Sequence, residues 1–545
     1  MILLAVIACF FFSGFAALLY QVAWLRQFSL VFGTSEIAVA IVLAAYMAGL
    51  TVGAIVIAKI IHKIKKPVFA YGLLEGGIAI SALLVPILIF ISRGLYSFFL
   101  GDQIEPPDSS GLGQSIFYLI ASFIIILIPT ALMGATLPLL SRYAITTNNE
   151  IGPRVSLLYG INTLGAVFGA IVAGFILLPK IGLNGTIWSG VFVNLAIFLI
   201  AIILDKNLKN ISTEKSENNI YILNGFFKTI FSLISEKTNS LSQKTASIFN
   251  RQKAWILPLM LFSGLNSFIY EVLWTRMLSH VIGGSIYAFS TMLATFLLGI
   301  AIGGGLAGKI TRDRDLSINL FCISQIFICI LSIFIYYSLG PLMPNNINTF
   351  ELSVYAISVM LPATIFIGAT FPLAVHILVE NNKVVGSGTA LVYSWNTIGA
   401  IIGSIYAGFF LIPEFGFEGA IKFAVLINIL IALFGITFIS KLSKIFSVAI
   451  LLAALSILFL YNPLRPESVI MRTGFVLNYL NQPREFFYEV GKSSTVMVLA
   501  EDGYYFIRTN GLPEASIASK GSPPVQDPEK WLTALPVTAR PDIKD

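Results

Sequence analysis

The chain has 545 residues, of which 57% are hydrophobic and 11% charged, with a mean hydropathy of +0.87 and a formal net charge of +7. Soluble proteins carry about 25% charged residues, so this composition excludes a soluble globular protein and requires most of the chain to face lipid or other membrane helices. Cys9, Cys322 and Cys329 all lie in apolar stretches and fit neither a disulfide framework nor a metal-ligand spacing.

At about 20 apolar residues per crossing, six spans are predicted in the first half, over 3–31, 36–60, 68–92, 115–141, 155–178 and 185–204. The first begins without a basic leader region or cleavage site, so it reads as a retained helix rather than a signal peptide. A polar linker, 205–253, follows with eight basic and four acidic residues, which predicts a flexible segment. Phe226, Phe227, Ile230, Phe231 and Ile234 within it have the spacing of a short interfacial helix. Six further spans are predicted over 255–282, 286–309, 316–339, 352–378, 387–412 and 418–439, and a thirteenth over 445–461. The organisation is then a first bundle (1–204), the linker (205–253), a second bundle (254–440), an extra helix (441–461) and a tail (462–545).

The two bundles are the same text written twice. Ser13-Gly14 through Tyr20-Gln21-Val22-Ala23-Trp24-Leu25-Arg26 returns as Ser263-Gly264 through Tyr270-Glu271-Val272-Leu273-Trp274-Thr275-Arg276, 250 residues later. Over 158–182 against 392–416 the offset is 234 and 13 of 25 positions are identical, where chance gives roughly one in ten. The first half therefore holds 16 extra residues, which the polar stretch Arg93–Gln114 is expected to absorb as a loop. Equal, even helix counts make the repeat parallel, an architecture of secondary transporters.

Loop charges set the orientation. Lys59, Lys63, Lys65, Lys66, Arg142, Arg154, Lys309, Arg312 and Arg314 fall on one side, and Asp102, Glu105, Asp108 and Glu351 on the other. The positive-inside rule then puts the N-terminus and the linker in the cytoplasm of a cell-membrane protein, and thirteen spans put the tail outside. In that tail, Thr495–Ala500 and Tyr504–Thr509 flank Asp502-Gly503, a hairpin signal, and Asn510-Gly511 marks a second turn. The tail has too little apolar material for a core of its own and needs a partner or a continuation.

Polar residues at membrane depth are the candidate site, because each costs about 2.5–3.5 kcal/mol on insertion scales. Gln21 matches Glu271 and Glu75 matches Gln325, so each half carries one carboxylate and one amide with the assignments exchanged. Such groups bind a cation or exchange protons, or else bond neighbouring helices. Arg26 and Arg276, near span ends, are expected to snorkel to the interface or to meet a substrate at the bundle mouth. Tyr20/Trp24 and Tyr270/Trp274 share helix faces as packing, interfacial anchors or a stacking surface for an organic cation. Asn162 and Asn396 sit among the glycines Gly165, Gly169, Gly399 and Gly403, which with Gly49/Gly53 and Gly299/Gly303 read as close-packing devices. Pro129, Pro138, Pro362 and Pro372 are expected to kink spans four and ten. No catalytic triad, phosphate loop or nucleic-acid-binding pattern is present.

Several of these stretches, Tyr20–Arg26, Tyr270–Arg276 and Tyr393-Ser394-Trp395-Asn396-Thr397, resemble the fused major-facilitator-like membrane protein and spermidine synthase family. In the tail, Tyr488-Glu489-Val490-Gly491-Lys492-Ser493-Ser494-Thr495-Val496 and Thr509–Ser516 resemble it too. The resemblance implies a major-facilitator-like all-α polytopic fold with a short C-terminal β-hairpin segment. It also implies a polyamine aminopropyltransferase domain that uses decarboxylated S-adenosylmethionine. The tail resembles only that domain's N-terminal β part, so the catalytic machinery and the cofactor are expected beyond Asp545, with no catalytic residue and no cofactor in this chain. Glu514, after Asn510-Gly511, stands where such synthases carry a substrate-contacting Gln. The functional expectation is a membrane-integral spermidine synthase-like protein with a transporter-like module. The alternatives are a secondary transporter of a polyamine or other small organic cation, and an anchor for a separately encoded synthase half.

Overall fold

A computed structural model of the chain describes residues 2–32, 35–60, 64–100, 112–144, 151–211, 254–282, 285–310, 314–339, 349–378, 385–436, 484–491, 494–501, 503–510, 512–519 and 521. The predicted thirteenth helix and nearly all of the linker lie outside these residues. The first half holds α1 (Ile2–Phe32), α2 (Ser35–Ile60), α3 (Pro67–Leu100), α4 (Leu112–Ala144), α5 (Ile151–Val172) and α6 (Leu178–Ile211). The second holds α7 (Ile256–Ile282), α8 (Ser285–Ile310), α9 (Arg314–Ser338), α10 (Thr349–Leu378), α11 (Val385–Tyr406) and α12 (Ile412–Ile436). A five-residue π turn joins α5 to α6 (Ala173–Leu177) and another joins α11 to α12 (Ala407–Leu411).

By continuity alone the described helices form ten apolar runs, two of them, Leu157–Lys206 and Leu391–Ile436, 50 and 46 residues long. At 1.5 Å per residue each would measure about 70 Å or more, over twice a ~30 Å hydrocarbon core. Both runs turn back. A Cβ at Gly165 would meet Phe11 and one at Gly169 would meet Phe15, so α5 runs parallel to α1. On α6, Gly190 abuts Tyr20 while Ala201 shares a buried cluster with Val6 and Phe10, so α6 runs antiparallel to it. The reversal sits at Gly182 (φ 71°, ψ −171°) and at its repeat mate Gly416 (φ 69°, ψ −175°), a backbone region open essentially to glycine alone. Among the described residues twelve crossing segments result, six in each half.

The halves exchange equivalent contacts. α2 packs on α11 and α8 packs on α5, and these pairs are repeat mates. Gly174 faces Ser290 where Gly408 faces Ala40, the same two positions with the halves swapped. This is the signature of a pseudo-twofold relation between the bundles. Within each half the small-residue faces bring backbones together: Gly53 abuts Ala131 between α2 and α4, and Gly303 abuts Ile365 between α8 and α10.

One expectation needs correction. The extra residues of the first half are not wholly a loop, since α3 continues to Leu100, nine residues longer than its mate α9 (34 against 25). Pro129 and Pro138 lie inside α4, and Pro362 and Pro372 inside α10. Thr130 Oγ1 donates to the Ile126 carbonyl at 2.7 Å and Thr364 Oγ1 to that of Leu361 at 2.9 Å, local bonds within each helix.

The tail forms a four-stranded antiparallel sheet in the order β1 (Arg484–Val490), β2 (Thr495–Glu501), β3 (Tyr504–Thr509) and β4 (Leu512–Ala518). The expected hairpin at Gly503 (φ 85°) is β2–β3. β1 escapes a pattern search because Phe486 and Phe487 are both exposed, and β4 because Pro513 interrupts it at the edge. The partner this small sheet needs is α7 and the elements beside it: Val490 is buried in the main membrane core, with Tyr488 packed against it.

Candidate functional site

The repeat builds one polar cluster inside each bundle. In the first, Glu75 of α3 is fully buried and accepts from Ser13 Oγ of α1 at 2.6 Å and from Asn194 Nδ2 of α6 at 2.5 Å. Asn194 Oδ1 in turn accepts from Tyr20 at 2.9 Å. In the second, Gln325 Nε2 of α9 donates to Ser263 Oγ of α7 at 3.4 Å, and Asn428 Nδ2 of α12 donates to the Gln325 carbonyl at 3.3 Å. Asn266 bonds both Asn428 Oδ1 and, at 2.9 Å, the Ala424 carbonyl. Ser13, Glu75 and Asn194 are the mates of Ser263, Gln325 and Asn428. These are three-helix cross-links in which most of the polar groups bond one another, as buried groups in a stable core do. Ser13, Asn194, Asn266 and Asn428 are absent from the sequence prediction. The two offsets, 250 for Ser13 and 234 for Asn194, hold the signal for the symmetric pairs.

Gln21 and Glu271 behave differently. They are 2% and 3% exposed, on α1 and α7. The Nε2 of Gln21 has no hydrogen-bond partner, and the Glu271 carboxylate has no bonded partner among the described residues. Its backbone carbonyl accepts from Thr275 Oγ1 at 2.7 Å. One helical turn on, the indole N–H groups of Trp24 and Trp274 are also buried, with no partner among the described residues. Both indoles are stacked on tyrosines, Tyr20–Trp24 at 5.4 Å and Tyr270–Trp274 at 5.1 Å, and both are wholly buried, which rules out an interfacial anchor role. A carboxylate out of water, one helical turn from an indole, is suited to an ammonium group. Burying it charged and unpaired is costly, so the carboxyl is either protonated or met by a counter-charge.

The other predicted residues separate cleanly. Asn162 Nδ2 donates to the Phe10 carbonyl at 2.9 Å, and Asn396 lies against Gly264, so both belong to the α1–α5 and α7–α11 seams. Glu514 is exposed on β4, at the bulge between the Pro513–Arg508 and Ala515–Ile507 pairs, and belongs to the sheet rather than to the helical clusters. Arg26 is half-buried beside a cavity. Arg276 does not snorkel: it is 2% exposed and donates to the Gly408 carbonyl in the π turn at 3.1 Å and to the Gly491 carbonyl after β1 at 3.3 Å. The turn residue Asn510 lies beside His280 on the same helix, so the sheet docks through two turns.

Charged hydrogen bonds of this kind are worth about 1.5–3 kcal/mol. Arg276→Gln is therefore expected to free the sheet, seen as trypsin cleavage within 484–518 at least about tenfold faster than in the wild type. An unchanged digestion rate would show that the guanidinium does not hold it.

The family comparison agrees with the membrane architecture. The sequence model of the family described as Major Facilitator Superfamily matches residues 1–404. The polyamine aminopropyltransferase of Oceanobacillus iheyensis is 26% identical over 167 residues, which are 30% of this chain and 31% of that protein. The chain thus matches under a third of that relative's length. The structure of the proton:xylose symporter XylE bound to 6-bromo-6-deoxy-D-glucose aligns with 13% identity and a TM-score of 0.44, over 80% of this chain and 96% of that one.

Proposed function

This chain belongs to the Major Facilitator Superfamily, and from that premise we propose that it is a secondary transporter of a small organic cation, with Glu271 as the counter-ion. The observation that carries this reading is the Glu271 carboxylate, buried in α7 with no bonded partner among the described residues and one turn from the Trp274 indole. The buried carboxylate of the other half, Glu75, is already satisfied by Ser13 and Asn194 and serves to cross-link its bundle. A substrate ammonium supplies the charge that Glu271 lacks and binds against an aromatic face, and alternating access follows from rocking one half against the other about the pseudo-twofold. The partial similarity to a polyamine aminopropyltransferase supports a diamine or polyamine as the cation.

The test is uptake of radiolabelled putrescine and spermidine by proteoliposomes containing the whole chain. Saturable accumulation above protein-free liposomes is expected, and its absence for every diamine and polyamine tried would reject the substrate class. A second reading, that the helices hold an aminopropyltransferase domain at the membrane, is supported by the same partial similarity and by the small sheet docked on the second bundle. Co-purification of such an enzyme with this chain from native membranes, without uptake, would favour it.

A further inference from the structure

The pseudo-twofold makes each half a control for the other, and at the two arginines the halves differ. Arg276 has two carbonyl partners, and the space beside it is filled by His280 and Phe417, packed edge to face with ring centroids 5.5 Å apart. The corresponding positions in the first half are Arg26, Leu30 and Leu183. There the guanidinium has no bonded partner among the described residues, although its own backbone carbonyl accepts from Ser29 Oγ at 2.8 Å. With leucines in place of the imidazole and the phenyl ring, a cavity of about 270 Å³ remains. It is lined by Arg26 and Leu30 of α1, Gly174 of the π turn, Leu178 and Leu183 of α6, and Tyr287 of α8. Gly174 is the mate of Gly408, whose carbonyl Arg276 holds.

We propose that this cavity is a binding site for a carboxylate or phosphate group carried on a small apolar body. The guanidinium takes the anion in a bidentate pair, as the fork geometry of arginine favours, and the leucines and Tyr287 take the apolar part. The second half shows the chemistry in use: the equivalent guanidinium donates to an oxygen delivered from outside the bundle, the Gly491 carbonyl after β1. The volume lies just below the usual range of about 300–1,000 Å³ for ligand pockets, which limits the occupant to a small acid or to the head-group phosphate of a lipid. Because α1 and α6 line one wall and α8 the other, an occupant bridges the two halves. This site is separate from Glu271 and does not depend on the substrate assigned to it.

The experiment measures thermal unfolding of the whole chain in phosphatidylcholine nanodiscs, titrated with sodium benzoate, phenyl phosphate and neutral benzamide. A parallel series replaces part of the lipid with phosphatidylglycerol. A saturable rise in Tm with benzoate or phenyl phosphate, but not with benzamide, is expected. Arg26→Gln should weaken the apparent affinity at least tenfold, and Leu183→Phe, which installs the filling residue of the second half, should do the same. A rise confined to phosphatidylglycerol discs, and lost in both variants, identifies the anion as a lipid head group. The proposal is overturned if no anion raises Tm, or if both variants respond as the wild type does. Glu271→Gln should respond to these anions as the wild type does, which keeps this result distinct from the outcome of the transport assay.

Discussion

Glu271→Gln is expected to reduce putrescine or spermidine uptake at least about a hundredfold while leaving the protein folded. Leaving one charge of a buried pair without its partner costs about 3–5 kcal/mol, and each 1.4 kcal/mol is a factor of ten. The substitution keeps shape and polarity, and the first half already carries an amide at this position, Gln21, in an equally buried setting. The helical bundle therefore tolerates the amide, and Tm should stay level or rise, because an unpaired carboxylate is removed. Glu75→Gln is the informative contrast. Its carboxylate oxygens accept from two donors, Ser13 and Asn194, and an amide turns one of those acceptors into a donor facing a donor. That change costs about 1–3 kcal/mol of stability and should appear as a lower Tm. Wild-type uptake in the Glu271→Gln protein would remove the residue from any role in cation binding.

The second large effect is structural. Gly165→Leu and Gly399→Leu are expected to prevent folding, with no monodisperse peak in fluorescence-detected size exclusion. A Cβ at Gly165 would fall on the Phe11 carbonyl of α1, and one at Gly399 on the Leu261 carbonyl of α7. Both obstacles are helix backbone, so relief requires moving a whole helix. Overpacking in ordinary cores costs about 1–3 kcal/mol, and a clash with backbone across a helix seam exceeds that range. Gly308→Leu provides the control, since nothing lies within 4 Å of a Cβ there. A folded, monodisperse Gly165→Leu protein would mean that α1 and α5 do not pack through this face.

Much of this fold is legible in the chain because hydropathy alone determines where a helix can cross a membrane, and because the repeat repeats the evidence. The 250 and 234 offsets locate mates that the structure then places in equivalent contacts, such as Gly174 with Ser290 and Gly408 with Ala40. The reversal at Gly182 is hidden, since a glycine in an apolar run looks the same whether it packs a seam or turns the chain. The site is half legible. Burial of Gln21, Glu75, Glu271 and Gln325 follows from their position within spans. Which carboxylate is bonded depends on α6, through Asn194, whose sequence separation from Glu75 is 119 residues. The fate of Arg276 was out of reach for the same reason: its partners come from a π turn 132 residues away and from a sheet 215 residues away.

The docked sheet also breaks an equivalence. Two arms that share a common ancestor are no longer interchangeable once one of them carries a rigid load. Tethered through Arg276, the strands must travel with the arm that holds them. A fluorophore on β3 and a second on the far end of α3 would then form a ruler whose reading changes each time the molecule switches the side to which it opens.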